Sequence, residues 1–172
     1  LVGGFLGAGK TSLLWRAAEL LKAEGQAVGL ITNDQATDLV DTAFLEDREN
    51  LVREVSGSCF CCNFNGFADA IAYIADKNAG GTILAEPVGS CTDLSATLMQ
   101  PLKDKYADSV DLAPLTVLAD PERLSGILDG ADSPAAYIGS KQFEEADIIL
   151  INKVDLLDAA TQQALQQRAI QK

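Results

Sequence analysis

The sequence predicts an α/β domain whose parallel sheet is covered by helices on both faces. Three observations point there. A glycine-rich turn of the phosphate-binding type opens the chain, where a strand should hand over to a helix. Short unbroken apolar runs, AVGLIT, TILA and DIILI, recur along it, as strands buried on both sides require. Between them lie stretches with apolar residues at helical spacing, and strands alternating with helices imply a parallel sheet.

In chain order, strand one is represented only by Leu1 and Val2, where about five residues would be usual. With no initiating Met, and an end at Gln171 and Lys172 inside a helical pattern, the sequence reads as an internal piece of a longer protein. A helix over residues 11–24 aligns Leu13, Leu14, Ala17, Ala18 and Leu21, and Gly25 ends it. Residues 27–32 form a buried strand. Residues 33–48 are polar, acidic and without period, as in a mobile loop. Residues 51–55 read as a strand and 56–65 as a Gly/Ser/Cys/Asn loop. A helix over 66–77 sets Ala70, Ile71 and Ile74 on one side. Residues 82–85 are a strand running into Glu86 and Pro87. Residues 92–106 are helical with a break near Pro101, and 112–118 are a strand despite Pro114. Pro121 starts a helix to residue 128, as the first helical position allows. Another helix ends over 142–146, 147–151 is the last clear strand, and helix resumes from Ala159. There is no internal repeat and no low-complexity tract.

The length, 172 residues, suits one domain with a substantial core, and 48% apolar residues exclude a disordered chain. A formal net charge of -12 argues against nucleic acid or an anionic membrane as partner. No apolar run approaches a membrane span. The four cysteines, three of them within four positions, are no disulfide framework. Reduced thiols beside a nucleotide site suggest the cytoplasm. With no histidine in the chain, a metal site must use thiolates, carboxylates or hydroxyls.

Residues 4–11 read G-x-x-x-x-G-K-T. Gly4, Gly7 and Gly9 let the backbone curl into a nest of N–H groups around a β-phosphate. Ala8 and Ser12 complete the candidate nucleotide-binding stretch. Lys10 is placed to reach the β- and γ-phosphates and Thr11 to ligate Mg²⁺, and the following helix presents its N-terminal dipole to the same anion. Ligands in such a sheet sit at the carboxyl ends of strands, so the residues after each strand carry the chemistry. Asp34, with Asp38 and Asp41 behind it, is a candidate to complete Mg²⁺ coordination or place the attacking water. Glu86 closes an apolar strand in the Walker-B manner and is the second candidate Mg²⁺ carboxylate. Gly89 lets a backbone N–H approach the γ-phosphate. Lys10, Asp34 and Glu86 form the candidate catalytic set, and no water-orienting base stands out. Asn152, Lys153 and Asp155 follow the last strand as N-K-x-D. A carboxylate at Asp155 can accept from guanine N1–H and the exocyclic amine, which adenine lacks, so ATP would leave it unpaired. Asn152 would bridge to the phosphate loop, and the Lys153 stem would lie over the base.

These stretches, GFLGAGKTSLL, SCFCCNF, ILAEPVG and INKVDLL, resemble the CobW/HypB/UreG family of P-loop GTPases, its CobW-like branch above all, with order and spacing matching along nearly the whole chain. The resemblance implies the SIMIBI-type GTPase fold, GTP and Mg²⁺ as ligands, and a role as metal chaperone or metal-insertion factor for enzymes or cobalamin. It implies a C-x-C-C motif at Cys59, Cys61 and Cys62, and a C-terminal domain beyond this chain. There are departures. Ser58 stands where the family has Gly before the first Cys. Pro87 and Val88 replace the threonines of E-T-T-G. Residues 32–36 look more like the UreG and HypB loop than like E-N-E-F-G. Phe5 stands where MinD-like ATPases carry a lysine.

Three cysteines at this spacing cannot share one side of a strand, so a loop must hold them, where thiolates could bind Zn²⁺ or Co²⁺. A merely buried or oxidisable cluster is the plainer alternative. Cys91 lies outside the motif and is not counted as a ligand. The fourth position is open among water, Cys91, a carboxylate or a partner subunit. The sequence thus predicts a slow GTPase gating metal transfer to a client metalloenzyme or cofactor-synthesis protein, with a nucleotide-dependent homodimer as a possible form. The alternatives are a thiol-based storage or redox module and an ATP-dependent kinase, the latter disfavoured by N-K-V-D.

Overall fold

The structure, a computed structural model, describes residues 1–33 and 51–171. Among them lie six strands: β1 (Val2–Gly4), β2 (Val28–Thr32), β3 (Leu51–Glu54), β4 (Thr82–Glu86), β5 (Thr116–Ala119) and β6 (Ile148–Ile151). Six α-helices accompany them: α1 (Lys10–Ala23), α2 (Phe64–Lys77), α3 (Gln100–Tyr106), α4 (Pro121–Leu128), α5 (Pro134–Glu145) and α6 (Ala159–Gln171). Every pairing is parallel, in the orders β3-β2-β4 and β1-β5-β6. β1 and β4 are in contact where the two halves meet. The chain runs from β1 outward to β2 and from β4 outward the other way to β5. The carboxyl ends of β1 and β4 therefore flank the crevice at which the winding reverses, where a doubly wound sheet binds its ligand.

Strand alternation divides the core between two faces. Val28 and Leu30 of β2 pack with Leu14 and Ala18 of α1, joined by Val2 and Leu84. Ile31, one residue on, points the other way, into a larger cluster with Phe67, Ile71 and Ile74 of α2 and with Leu94, Leu98 and Leu102. Helices thus cover both faces, as the unbroken apolar strands require. A third cluster, Ala119, Leu124 and Leu165, fastens α4 and α6 over β5.

Most expected elements stand within a residue or two of their predicted bounds, and the differences have causes. The predicted strand over 112–118 narrows to Thr116–Ala119. The amide of Leu115 donates instead to the Asp147 carboxylate, at 2.7 Å. The break expected near Pro101 is a widened turn. Ser95–Met99 is π-helical and leads straight into α3, with the Gln100 amide donating to Ser95 O, five residues back. Pro101 has no N–H to offer and its ring crowds the carbonyl four residues earlier, and a wider turn relieves both. α5 begins at Pro134, well before its predicted end, with Ser133 as N-cap. The acidic loop expected over 33–48 lies, beyond Asn33, outside the described residues.

Candidate nucleotide and metal site

The phosphate loop leaves β1 and turns into α1 at Gly9, which caps the helix in a left-handed conformation, φ 96°. A Cβ there would run into the Asn152 amide nitrogen, so both dihedral and space call for glycine. No side chain caps α1. Its first amides are left to the anion the loop is shaped for. Lys10 is buried, 5% exposed, and lies 3.5 Å from Glu86 and 3.4 Å from the Phe5 carbonyl oxygen. The Thr11 hydroxyl donates to the Glu86 carboxylate at 2.9 Å. The structure therefore joins three predicted site residues, Lys10, Thr11 and Glu86, in one contact. A hydroxyl and a carboxylate side by side are the hard-oxygen set that suits Mg²⁺. Ser12 follows on the first turn of α1 and is exposed.

Asn152 and Lys153 come to the loop from β6. The Asn152 amide donates to Ala8 O at 2.9 Å, and Lys153, held left-handed at φ 55°, donates to Gly7 O at 2.7 Å. Asn152 thus ties the N-K-V-D turn to the phosphate loop, as its sequence position predicts. Asp155 is exposed on the 3₁₀ turn Val154–Leu156 just beyond. Beside this junction opens a cleft of about 670 Å³ lined by Leu6, Gly7, Asp120, Arg123, Lys153 and Leu156, among others, a volume ordinary for a small-molecule site. Arg123 is a cation that sequence reasoning passed over. Its guanidinium lies 4.1 Å from the centroid of the Phe5 ring, in the phosphate loop, and 3.3 Å from Asp120.

The segment after β4 presses on the same loop from the other side. A Cβ on Gly89 would come within 2.7 Å of the Leu6 nitrogen, so only glycine allows this approach. Gln142 of α5, 1% exposed, donates through one amide nitrogen to Gly89 O at 3.1 Å and Cys91 O at 2.8 Å. A buried amide in this position fixes the backbone of the segment, since leaving those carbonyls unpaired would be costly. Nothing near Gln142 in the sequence marks this role, which exists only once α5 lies against the β4 end.

The cysteine loop follows β3. Phe60 is fully buried and stacks on Phe67 with centroids 4.4 Å apart, which pins the loop from below. The Cys62 and Asn63 amides both donate to Cys59 O, and Asn63 then caps α2 by accepting from the Gly66 amide. Asn33, at the end of β2, donates to Val55 O and Ser58 O and so holds the loop's base. The three thiols converge, their sulfurs all within 4.8 Å of one another. All four cysteines are free thiols. Burial alone would raise the Cys59 thiol, but hydrogen bonding with Cys61 and Cys62 outweighs it and brings it down to about 7. Burial and then the hydrogen bond and charge of Cys59 push Cys61 up to about 11, and Cys62 is raised chiefly by its hydrogen bond to Cys59. Cys91 lies outside this group of three, and burial first, then the neighbouring thiols, pushes its thiol up to about 12. Asp34, Asp38 and Asp41 lie outside the described residues.

A family model for the CobW/HypB/UreG nucleotide-binding domain matches residues 1–172. The chain belongs to this family. Among curated relatives of this family member, the zinc chaperone YeiR of Escherichia coli is 30% identical over 96% of this chain and 49% of its own length. The zinc-regulated GTPase metalloprotein activator 1 of Schizosaccharomyces pombe is 30% identical over 92% of this chain and 39% of its own. The zinc chaperone CobW of Pseudomonas aeruginosa is 28% identical over 92% and 49%. The chain thus spans about half or less of the length of these relatives. In fold it is similar to the hydrogenase maturation factor HypB from Archaeoglobus fulgidus, with a TM-score of 0.62 at 18% identity, covering 98% of this chain and 74% of that one. A zinc-bound triple mutant of the YjiA GTPase gives 0.61 at 19% identity, covering 98% and 52%. Among the described residues no helix is long and apolar enough to cross a membrane.

Proposed function

We propose that this domain binds GTP with Mg²⁺, hydrolyses it slowly, and uses the cycle to hold and hand over a divalent transition metal carried on Cys59, Cys61 and Cys62. The observation that supports this best is the segment from Glu86 to Cys91. One of its ends meets Thr11 and Lys10, and the other packs on the core cluster that also holds Phe60 and Cys61 of the cysteine loop. On this reading one short segment links the proposed nucleotide and metal chemistries.

The roles follow from the chain's own groups. The amides of residues 7–11 and the Lys10 ammonium bind the phosphates. Thr11 and Glu86 would hold Mg²⁺, which supplies charge neutralisation at the β- and γ-phosphates. Before nucleotide arrives, Glu86 occupies Thr11 and stands beside Lys10. Binding must draw Lys10 toward the phosphates. Asn152 holds the N-K-V-D turn against the loop, so that Asp155 can select guanine. Asp34 is proposed as a further Mg²⁺ or water-positioning carboxylate.

The metal is cargo. Thiolates without histidine suit a borderline or soft ion, and Zn²⁺ is favoured over Co²⁺ because the relatives carry zinc in their names. A client metalloenzyme or a cobalamin-synthesis protein would receive it in the cytoplasm, and a nucleotide-dependent homodimer would suit such a handover. The deciding experiment is titration of the purified chain with GTP and ATP, with and without Zn²⁺, following binding by calorimetry and turnover by phosphate release. Equal affinity for the two nucleotides would overturn the guanine reading. No Zn²⁺ binding at neutral pH under reducing conditions would overturn the cargo reading.

A further inference from the structure

We propose that Gln142 is a positioning residue for the γ-phosphate: gripping the turn after β4 from behind, it aims the Gly89 amide at the phosphate loop and so sets how well a triphosphate binds relative to a diphosphate. This rests on the reading that nucleotide phosphates occupy the loop of residues 4–11, and adds to it a residue from α5. The turn runs from Val88 to Cys91 and is closed by the Cys91 amide, which donates to Val88 O at 3.0 Å. Gly89 lies in it against the backbone of Phe5 and Leu6, where a Cβ would meet the Leu6 nitrogen at 2.7 Å. The Gly89 amide makes no backbone hydrogen bond among the described residues. It is a spare donor beside the loop, and a terminal phosphate oxygen is the partner that satisfies it.

The direction of that donor is set by the peptides around it. The Val88 carbonyl and the Gly89 N–H belong to one planar unit, so the bond that Cys91 makes to Val88 O turns the Gly89 N–H the opposite way. Gly89 itself, without a Cβ, would let this unit swing. Gln142 prevents it from the far side of the turn. Its amide nitrogen donates to Gly89 O at 3.1 Å and to Cys91 O at 2.8 Å, and a glutamine amide has two protons, one for each carbonyl. Gln142 in turn cannot swing away. It is buried, and one turn earlier Gly139 presses on α4 so closely that a Cβ would come within 2.5 Å of Ile127 Cδ1. A void of only about 10 Å³ remains on its loop side, lined by Phe5, Ala8 and Arg123 among others, too little for the side chain to turn in.

The test compares the native chain with Gln142→Met, which keeps the length and loses both protons, and Gln142→Glu, which sets a carboxylate against the two carbonyls. Calorimetry with Mg²⁺ gives the affinity for GDP and for a non-hydrolysable GTP analogue. The ratio of analogue to GDP affinity should fall about tenfold in each variant, with GDP itself within about twofold of native, because the weakened bond is one to the γ-phosphate. Amide spectra give a second readout. The native Gly89 amide proton should move downfield when the analogue replaces GDP, and the movement should shrink in Gln142→Met. A variant that loses thermal stability but keeps the native ratio would reduce Gln142 to packing and overturn the proposal. Should neither variant fold, the native side chain decides: its amide protons should be protected from exchange and shift between GDP and analogue, and unprotected protons would overturn the proposal. A native Gly89 amide indifferent to the analogue, with the Gly9 amide responding to both nucleotides, would also overturn it and leave the phosphate-loop reading standing. If neither amide responds to either nucleotide, that underlying reading is what fails.

Discussion

Lys10, Thr11 and Glu86 make one contact set, and single substitutions should separate their roles. Lys10→Ala should lower GTP turnover by about 10²–10³-fold, since the charge on the transferred phosphoryl loses a preplaced cation. Thr11→Ala should weaken nucleotide binding in the presence of Mg²⁺ more than in its absence, and a magnesium titration of affinity reads the difference. Asp155→Asn should cost GTP about 1–3 kcal/mol of affinity and leave ATP nearly unchanged, measured by competition. The thiols set a pH dependence. Metal displaces their protons, so loading needs Cys59 deprotonated, and with that thiol at about 7 and Cys61 near 11, Co²⁺ affinity should fall steeply as pH drops from 8 to 6. The charge-transfer band followed across that range measures it. At this scale the sequence was informative wherever chemistry is local. Gly9, Lys10, Thr11 and Asn152 belong to short motifs whose spacing dictates what they touch. Gln142 acquires its partners only through folding: the carbonyls it serves, on Gly89 and Cys91, lie dozens of residues away, so no local pattern marks it.

Among the elements, the last turn of α5 invites a stability test. Glu145 accepts from the Ser95 amide at 2.9 Å, at the start of the π-helical turn, while its other oxygen has no partner among the described residues. Burial raises its carboxyl above the usual range, against the hydrogen bonds that lower it. The folded state then holds the proton more tightly than the unfolded chain. Its contribution to stability is greatest at low pH and is lost as pH rises through that titration, opposite to an ion-paired acid. Glu145→Gln keeps the acceptor and removes the charge, so it should raise the melting temperature at pH 7 by a few degrees, about 0.5–1 kcal/mol, and the gain should shrink toward pH 4. Thermal melts at the two pH values check this. The elements themselves were legible because buried parallel strands announce themselves as apolar runs. Boundaries slipped where a tertiary contact took over from local preference, as at Leu115, whose amide is claimed by Asp147, and at Pro101, where the helix widens without ending.

For the whole molecule, the larger core cluster does two jobs, closing one face of the sheet and carrying the cysteine loop on Phe60. Phe60→Ala should therefore cost about 3–5 kcal/mol in global stability. It should also loosen Co²⁺ binding under conditions where the chain is still folded, seen by denaturant melts alongside metal titration. A variant that lost stability but bound metal normally would show that the loop holds its shape by its own hydrogen bonds. The architecture was readable from alternation and from the opening motif. The meeting of β1 and β4 was not, because which strands become neighbours is settled by how the chain winds back, and that leaves no trace in any one segment.

The resting contact of Glu86 with both Thr11 and Lys10 also bears on the order of events. A carboxylate already engaged by a hydroxyl and an ammonium gives a lone divalent ion little reason to enter. A phosphate that draws Lys10 away takes a cation from beside Glu86, and that favours Mg²⁺ at the same carboxylate. Nucleotide should therefore bring its magnesium as a preformed pair or recruit it second. Stopped-flow mixing would then show an association rate that follows the concentration of the complex and is indifferent to pre-incubation of the protein with the ion.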